Sequence, residues 1–102
     1  MRQIKMLAKE IREELRGAER YAKLANEYKG EDRQLADMYY ELARQELKHA
    51  GMEHDQATRL IKDSKDRGNV PTDAMMQMWE FEHEQDLEDE KAVNILLDMY
   101  KN

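Results

Sequence analysis

Helix-breaking residues are confined to two short stretches of the 102-residue chain, residues 29–32 and 64–72. Because glycine and proline interrupt helices, these stretches divide the chain into three long helices. Asp32 is expected to cap the second helix, Thr72 to mark the start of the third, and Gly30 to adopt the left-handed conformation past the end of the first. The helices are predicted over about residues 3–29, 32–65 and 72–101.

Short connections between long helices favour antiparallel neighbours. The composition agrees with a helical fold, since 40% of the residues are hydrophobic, 39% are charged, and proline occurs once. We therefore predict an all-α fold in which residues 1–102 form a single domain, an antiparallel bundle of three long helices. A domain of this size buries a modest core, so association of several chains is expected to complete the bundle.

The charge and the cysteine content exclude several classes of function. A formal net charge of −6 with interspersed lysines and arginines disfavours a nucleic-acid partner. The chain has neither an apolar run long enough for a membrane span nor the apolar segment of a secretory signal, so we expect no membrane contact and a cytoplasmic location. Because cysteine is absent, a bound metal must be held by carboxylate or imidazole groups.

Each predicted helix carries an apolar stripe at steps of three and four residues, and each stripe turns polar at mid-length. In the first helix the interruption is Glu14. The stripe of the second helix consists of Leu35, Tyr39, Leu42, then Glu46, His49 and Glu53, then Ala57 and Leu60. The stripe of the third consists of Met76 and Trp79, then His83, Asp86 and Glu90, then Val93 and Leu97.

The register of the hairpins predicts that these interruptions meet. If the first hairpin turns at Gly30, level residues have numbers that sum to about 60, which pairs Glu14 with Glu46. If the second turns near Gly68, the sum is about 137, which sets Glu90 opposite Glu46 and His83 beside Glu53 or His54. The six candidate metal ligands are Glu14, Glu46, His49, Glu53, His83 and Glu90. Asp86, in an acidic run, is expected to be solvated.

Carboxylates that face one another in a core repel and lose their hydration. Protonation, pairing with lysine or arginine, or a divalent cation can compensate. The predicted seams carry no basic residue near this layer, so a cation is favoured, with protonation or a hydrogen-bond network as the alternative. Gly17 and Gly51, inside helices near this layer, indicate either close helix approach or tolerated surface glycines.

Glu46-Leu47-Lys48-His49 is a Glu-x-x-His motif, whose two side chains project from one helical face. Together with Glu14 and Tyr21, and with the segment 34–50, it resembles the first two helices of the ferritin-like superfamily, nearest its rubrerythrin branch, over about residues 10–60. The resemblance implies that Glu14, Glu46 and His49 bind iron, as one or two ions, with manganese or zinc as alternatives.

The third helix agrees less well with that family. Residues 78–83 are similar to its third helix and would nominate Glu80, whereas the register favours Glu90. A ferritin-like site takes a Glu from each of two helices and a Glu-x-x-His from each of two others, and this chain has no fourth helix. We therefore expect a homodimer or higher oligomer. The predicted contact is an apolar strip on the third helix, made of Met78, Phe81, Leu96 and Met99.

Two functions follow from these observations. The first is a metal-binding protein, with oxidation of ferrous iron or reduction of peroxide as the reaction class to test. The second is a non-catalytic helical assembly or interaction protein, because small ferritin-like proteins of phage-like gene clusters are similar in length and layout. The sequence does not decide whether the protein is an enzyme, and it assigns no catalytic residue.

Overall fold

The structure is a computed structural model that describes residues 2–102. It contains three α-helices and, within these residues, no β-strand: α1 (Arg2–Tyr28), α2 (Arg33–Asp66) and α3 (Asp73–Lys101). The all-α prediction is confirmed, and each helix boundary lies within one residue of its predicted position. The chain forms a rod of 56 × 18 × 18 Å. No helix in the described part of the chain is both long and apolar enough to cross a membrane.

Asp32 caps α2 as the sequence predicts, and Thr72, predicted to mark the start of the third helix, caps α3. The carboxylate of Asp32 accepts a hydrogen bond from the backbone N–H of Leu35 at 3.1 Å. The hydroxyl of Thr72 accepts one from the N–H of Met75 at 3.2 Å. Each cap satisfies a backbone donor that the first helical turn leaves without a partner, which explains why α2 and α3 begin directly after these residues.

The prediction of a left-handed conformation at Gly30 is wrong. The chain leaves α1 through a tight turn in which the N–H groups of Glu31 and Asp32 both reach the carbonyl of Tyr28, and this turn needs no left-handed residue. The one glycine with positive φ in residues 2–102 is Gly68, at 78°. It follows the end of α2, where a left-handed residue lets the chain turn back towards the last helical carbonyls.

The helices α1 and α2 pack through small residues, and this corrects the predicted core stripe of α2. Its buried residues are Ala36, Ala43, Ala50, Ala57 and Ile61. Those of α1 are Ile4, Ala8, Ile11, Leu15, Ala18, Ala22 and Ala25. Alanine side chains let the two helices approach closely, so the larger residues predicted as core, such as Leu35, Tyr39 and Leu42, lie beside the contact and remain half-buried.

The third helix packs mainly on α1 and touches α2 little. Arg12 of α1 forms an ion pair with Glu82 of α3, and the side-chain amide of Asn26 donates a hydrogen bond to the carbonyl of Leu96 at 2.9 Å. A groove of about 270 Å³ therefore separates α2 from α3, and its floor includes Ile11 of α1. The helices α1 and α2 thus form a hairpin with α3 along one of its sides.

Candidate metal centre

Three of the predicted ligands converge between α1 and α2. Each of Glu14, Glu46 and His49 offers a ligand atom, and these atoms lie within 4.8 Å of one another. The Nδ1 atom of His49 lies 3.6 Å from a carboxylate oxygen of Glu14 and 3.5 Å from one of Glu46. Among residues 2–102 this is the one group of three or more acidic, histidine or cysteine residues with such spacing. We refer to it as the Glu14 cluster.

Local structure explains how the cluster forms. Glu46 and His49 are three residues apart on α2, so their side chains project from one face. Glu14 lies at the same level on α1, as the hairpin register predicts. Gly17, one turn beyond Glu14, makes room for Glu46: a Cβ atom at this position would lie 2.9 Å from the Glu46 Oε2 atom. A Cβ at Gly51 would meet nothing within 4 Å, so Gly17 alone has a role in this packing.

The cluster lies on the side of the hairpin that α3 leaves open. An α-helix turns about 100° per residue, so positions two apart point in nearly opposite directions. Glu14 is two residues from Arg12, which pairs with Glu82 of α3, and His49 is two residues from Leu47, which lines the groove between α2 and α3. We call the side of the hairpin that bears the cluster the open face.

The ligands are less buried than the sequence predicts. The side chains of Glu14 and Glu46 are 26% and 24% exposed, and that of His49 is 51% exposed. The expectation of a fully enclosed interior is therefore wrong for a single chain, because the alanine contact places these larger side chains beside the seam. The exposed His49 imidazole leaves room on the solvent side for further ligands.

The surroundings of Glu14 disfavour the charged form of its carboxyl group. A hydrogen bond between the carboxyl groups raises the pKa of Glu14 above its ordinary value, and burial adds to the rise, whereas the nearby imidazole of His49 opposes it. Carboxylates this close repel when both are charged. A divalent cation at the same position would offset that repulsion.

Glu53 lies next to the cluster, about one helical turn after His49 on α2. Burial raises the pKa of Glu53 to about 7, and the neighbouring carboxyl groups of Glu10 and Glu14 add to the rise. Its Oε1 atom is buried and has no hydrogen-bond partner. Glu10 is not among the residues that the sequence predicts. It nevertheless lies one turn before Glu14, and the numbers 10 and 53 add up to 63, close to the sum of about 60 for level residues of this hairpin.

The structure does not bring His83 and Glu90 to the Glu14 cluster. Both line the groove between α2 and α3. The ring of His83 stacks on that of His54 with centroids 4.7 Å apart, and this is one of the two neighbours that the register allows. The register therefore predicts the height of His83 along the bundle correctly. It does not predict that His54 and His49 lie on different sides of α2, which keeps His83 away from the Glu14 cluster. Residue numbers give height along a bundle and not direction around a helix.

Two other residues of α3 differ from expectation or stay outside the cluster. Asp86 was expected to be solvated, but it is 8% exposed, and its Oδ1 atom has no hydrogen-bond partner. Burial raises the pKa of Asp86. Glu80, the alternative third-helix ligand, is exposed. Neither Glu80 nor Glu90 therefore adds a ligand to the Glu14 cluster within one chain.

Three side-chain ligands suit a transition metal ion but do not fill its coordination sphere. Carboxylate oxygen with imidazole nitrogen fits iron, manganese or zinc better than calcium or magnesium, which prefer oxygen ligands. Compared with known proteins, the chain matches no family model, no curated protein and no solved structure. The ferritin-like resemblance of residues 10–60 therefore stays a prediction.

Proposed function

We propose that this protein binds a divalent transition metal ion, iron in the first place, through Glu14, Glu46 and His49. The observation that carries the proposal is the convergence of their ligand atoms within 4.8 Å from two different helices. The proximity of the two carboxyl groups supports it, because a cation offsets their repulsion. The choice of iron comes from the ferritin-like resemblance, since the affinities of such ligands do not select one metal.

Each residue has a distinct part in the proposed site. Glu46 reaches across the seam towards α1, in the space that Gly17 leaves, and so lies close to both Glu14 and His49. Its carboxylate is the group best placed to bind or bridge metal ions. His49 contributes the nitrogen ligand and faces solvent. Iron held with an open coordination position would supply electron transfer, in which ferrous iron is oxidised to ferric iron and peroxide or dioxygen accepts the electrons.

A second function is favoured by the hydrogen bond between the carboxyl groups of Glu14 and Glu46, which raises the pKa of Glu14. A hydrogen bond of this kind offsets the repulsion between two carboxyl groups without any metal. The protein would then be a non-catalytic helical assembly or interaction protein, in keeping with the resemblance in length and layout that the sequence suggests to small ferritin-like proteins of phage-like gene clusters. In that case the cluster would be a structural hydrogen-bond network.

Metal analysis separates the two functions. Protein without a chelating tag, loaded anaerobically with ferrous iron and then desalted, should retain iron in a fixed ratio to the chain. Glu46→Ala and His49→Ala should each lower that ratio several-fold. His54→Ala is the matched control, because it removes an imidazole from α2 outside the cluster and should leave the ratio unchanged. Retention that neither cluster substitution lowers would reject metal binding at this site.

A further inference from the structure

We propose that a second copy of this chain packs on the open face of the α1–α2 hairpin and completes the metal site with its own Glu14, Glu46 and His49. The completion of the site rests on the proposed function, whereas the docking surface rests on independent observations. The sequence pointed instead to the apolar strip of α3. In the structure, two members of that strip, Met78 and Leu96, pack partly against the core of the same chain, as Leu7 and Tyr21 of the open face also do. This contact therefore does not distinguish the two surfaces, and their charge decides between them.

The open face carries apolar residues that a single chain covers only in part. They extend along both helices on either side of the cluster and are half-buried or exposed. Representative members are Leu7, Tyr21, Leu24, Met38, Leu42 and Met52. In α2 they follow the periodicity of a core stripe, yet the buried stripe of the single chain consists mainly of alanines. A helix that presents a second apolar stripe beside its packed one is typical of a bundle with a missing neighbour.

The position of the cluster fits a two-fold axis. Glu14 lies at the middle of α1, and Glu46 and His49 lie at the middle of α2. In a symmetric dimer the same patch on each copy contacts its equivalent. An axis through the cluster would therefore overlay the two hairpins along most of their length and give a bundle of four helices. The two ligand sets would meet at its centre.

The number of ligands also fits a second copy. One chain supplies two carboxylates and one imidazole, and two copies supply four carboxylates and two imidazoles. That is one Glu from each of two helices and one Glu-x-x-His from each of the other two, the set that a bundle with two metal ions uses. The half-exposed His49 of a single chain would become enclosed in such a dimer.

The area of the open face is sufficient for a stable dimer. At a rise of 1.5 Å per residue, the 27 residues of α1 span about 40 Å. Two packed helices are about 18 Å wide, so each copy offers roughly 700 Å², close to the 800 Å² per partner of a standard interface.

The alternative surface on α3 is poorly suited to a second copy. Residues 80–90 contain seven carboxylates and no lysine or arginine, so two copies of α3 would repel each other along this segment. The open face also holds carboxylates, but they are concentrated in and beside the Glu14 cluster, where metal ions can neutralise them. Dimerisation through the open face is therefore expected to depend on metal.

The experiment measures molecular mass by sedimentation equilibrium, with and without anaerobic ferrous iron. The test variant is Met38→Glu, and the matched control is Met99→Glu on the outer side of α3. Both methionines are already exposed, by 46% and 56%, so neither change disturbs the core. Met38 lies about 16 Å along α2 from His49, away from the ligands. Iron should convert wild type and Met99→Glu to dimers, whereas Met38→Glu should dissociate at least tenfold more readily.

The other outcomes are equally informative. A monomer that binds iron through Glu46 and His49 would overturn this inference and leave the proposed function intact. A dimer weakened by Met99→Glu and not by Met38→Glu would place the interface on α3 and also overturn it. A dimer sensitive to Met38→Glu that binds no iron would keep the docking surface but overturn the completed site, together with the proposed function.

Discussion

The two glycines inside helices provide a direct test of the site. Gly17 leaves the space that the Glu46 carboxylate occupies, whereas Gly51 faces open space. Replacement of a mid-helix glycine by alanine favours the helix by about 1 kcal/mol. Gly51→Ala should therefore raise the free energy of unfolding by about that amount and leave metal binding unchanged.

Gly17→Ala should behave differently. The new Cβ atom would lie 2.9 Å from the Glu46 Oε2 atom, which is closer than an ordinary contact by about 0.5 Å or more. Because the Glu46 side chain is flexible, its carboxylate can move away, and the gain in helix propensity should offset much of the cost. The free energy of unfolding should change by less than about 1 kcal/mol. Metal–ligand distances, however, stay within about 0.2 Å of their standard values.

The expected effect on metal affinity is therefore much larger than the effect on stability. Changes that displace a ligand without removing it cost about tenfold to a hundredfold in affinity, or about 1.4 to 2.8 kcal/mol. Competition titration against a chelator measures the affinity, and urea denaturation of the metal-free protein measures the stability. Equal metal affinities for Gly17→Ala and Gly51→Ala would refute the assignment of Glu46 as a ligand in this position.

Three further predictions concern the free energy of unfolding of the metal-free protein, measured by urea denaturation. This free energy should fall as the pH rises from about 5 to 7.5. The pKa of Glu53 is raised from 4.5 to about 7, so in this range the folded state retains a proton that the unfolded chain has lost. After the reduction by solvent screening, the expected decrease in the free energy of unfolding is about 1 to 2 kcal/mol. Glu53→Gln should remove this component, and an equal pH dependence in the variant would contradict it. Glu46→Leu should increase stability by about 1 kcal/mol, because it removes one of two facing carboxyl groups, so a clear loss would count against their repulsion. Asp86→Leu should increase stability by about 1 to 2 kcal/mol, because Oδ1 is buried without a partner; a decrease would contradict the absence of a partner for this atom.

The helical architecture could be predicted from the sequence because its signals are local. The two stretches of breakers and the caps at Asp32 and Thr72 act within one turn, and they locate the helix ends to within one residue. The level of Glu14 with Glu46 also follows from one short connection, since the register of a hairpin depends on where it turns. A level of this kind requires only residue numbers and the helical rise.

The direction around each helix could not be predicted in the same way. Leu35 and Ala36 are neighbours in sequence. The periodicity of the large apolar residues predicts that the stripe containing Leu35 forms the core contact of α2. The structure buries Ala36 instead, because close approach of α1 and α2 requires small side chains. This rotation separates the open face, with His49, from the groove, with His54 and His83. Whether the alanine stripe or the leucine stripe of α2 packs on α1 depends on the packing of the whole bundle. Local periodicity carries no information about that packing.

Anomalous scattering from crystals of the iron-loaded protein tests the central claim most directly. We expect a peak between α1 and α2, about 2.0 to 2.2 Å from a nitrogen of His49 and from carboxylate oxygens of Glu14 and Glu46. A peak in the groove beside His54 and His83, with none at the Glu14 cluster, would contradict it.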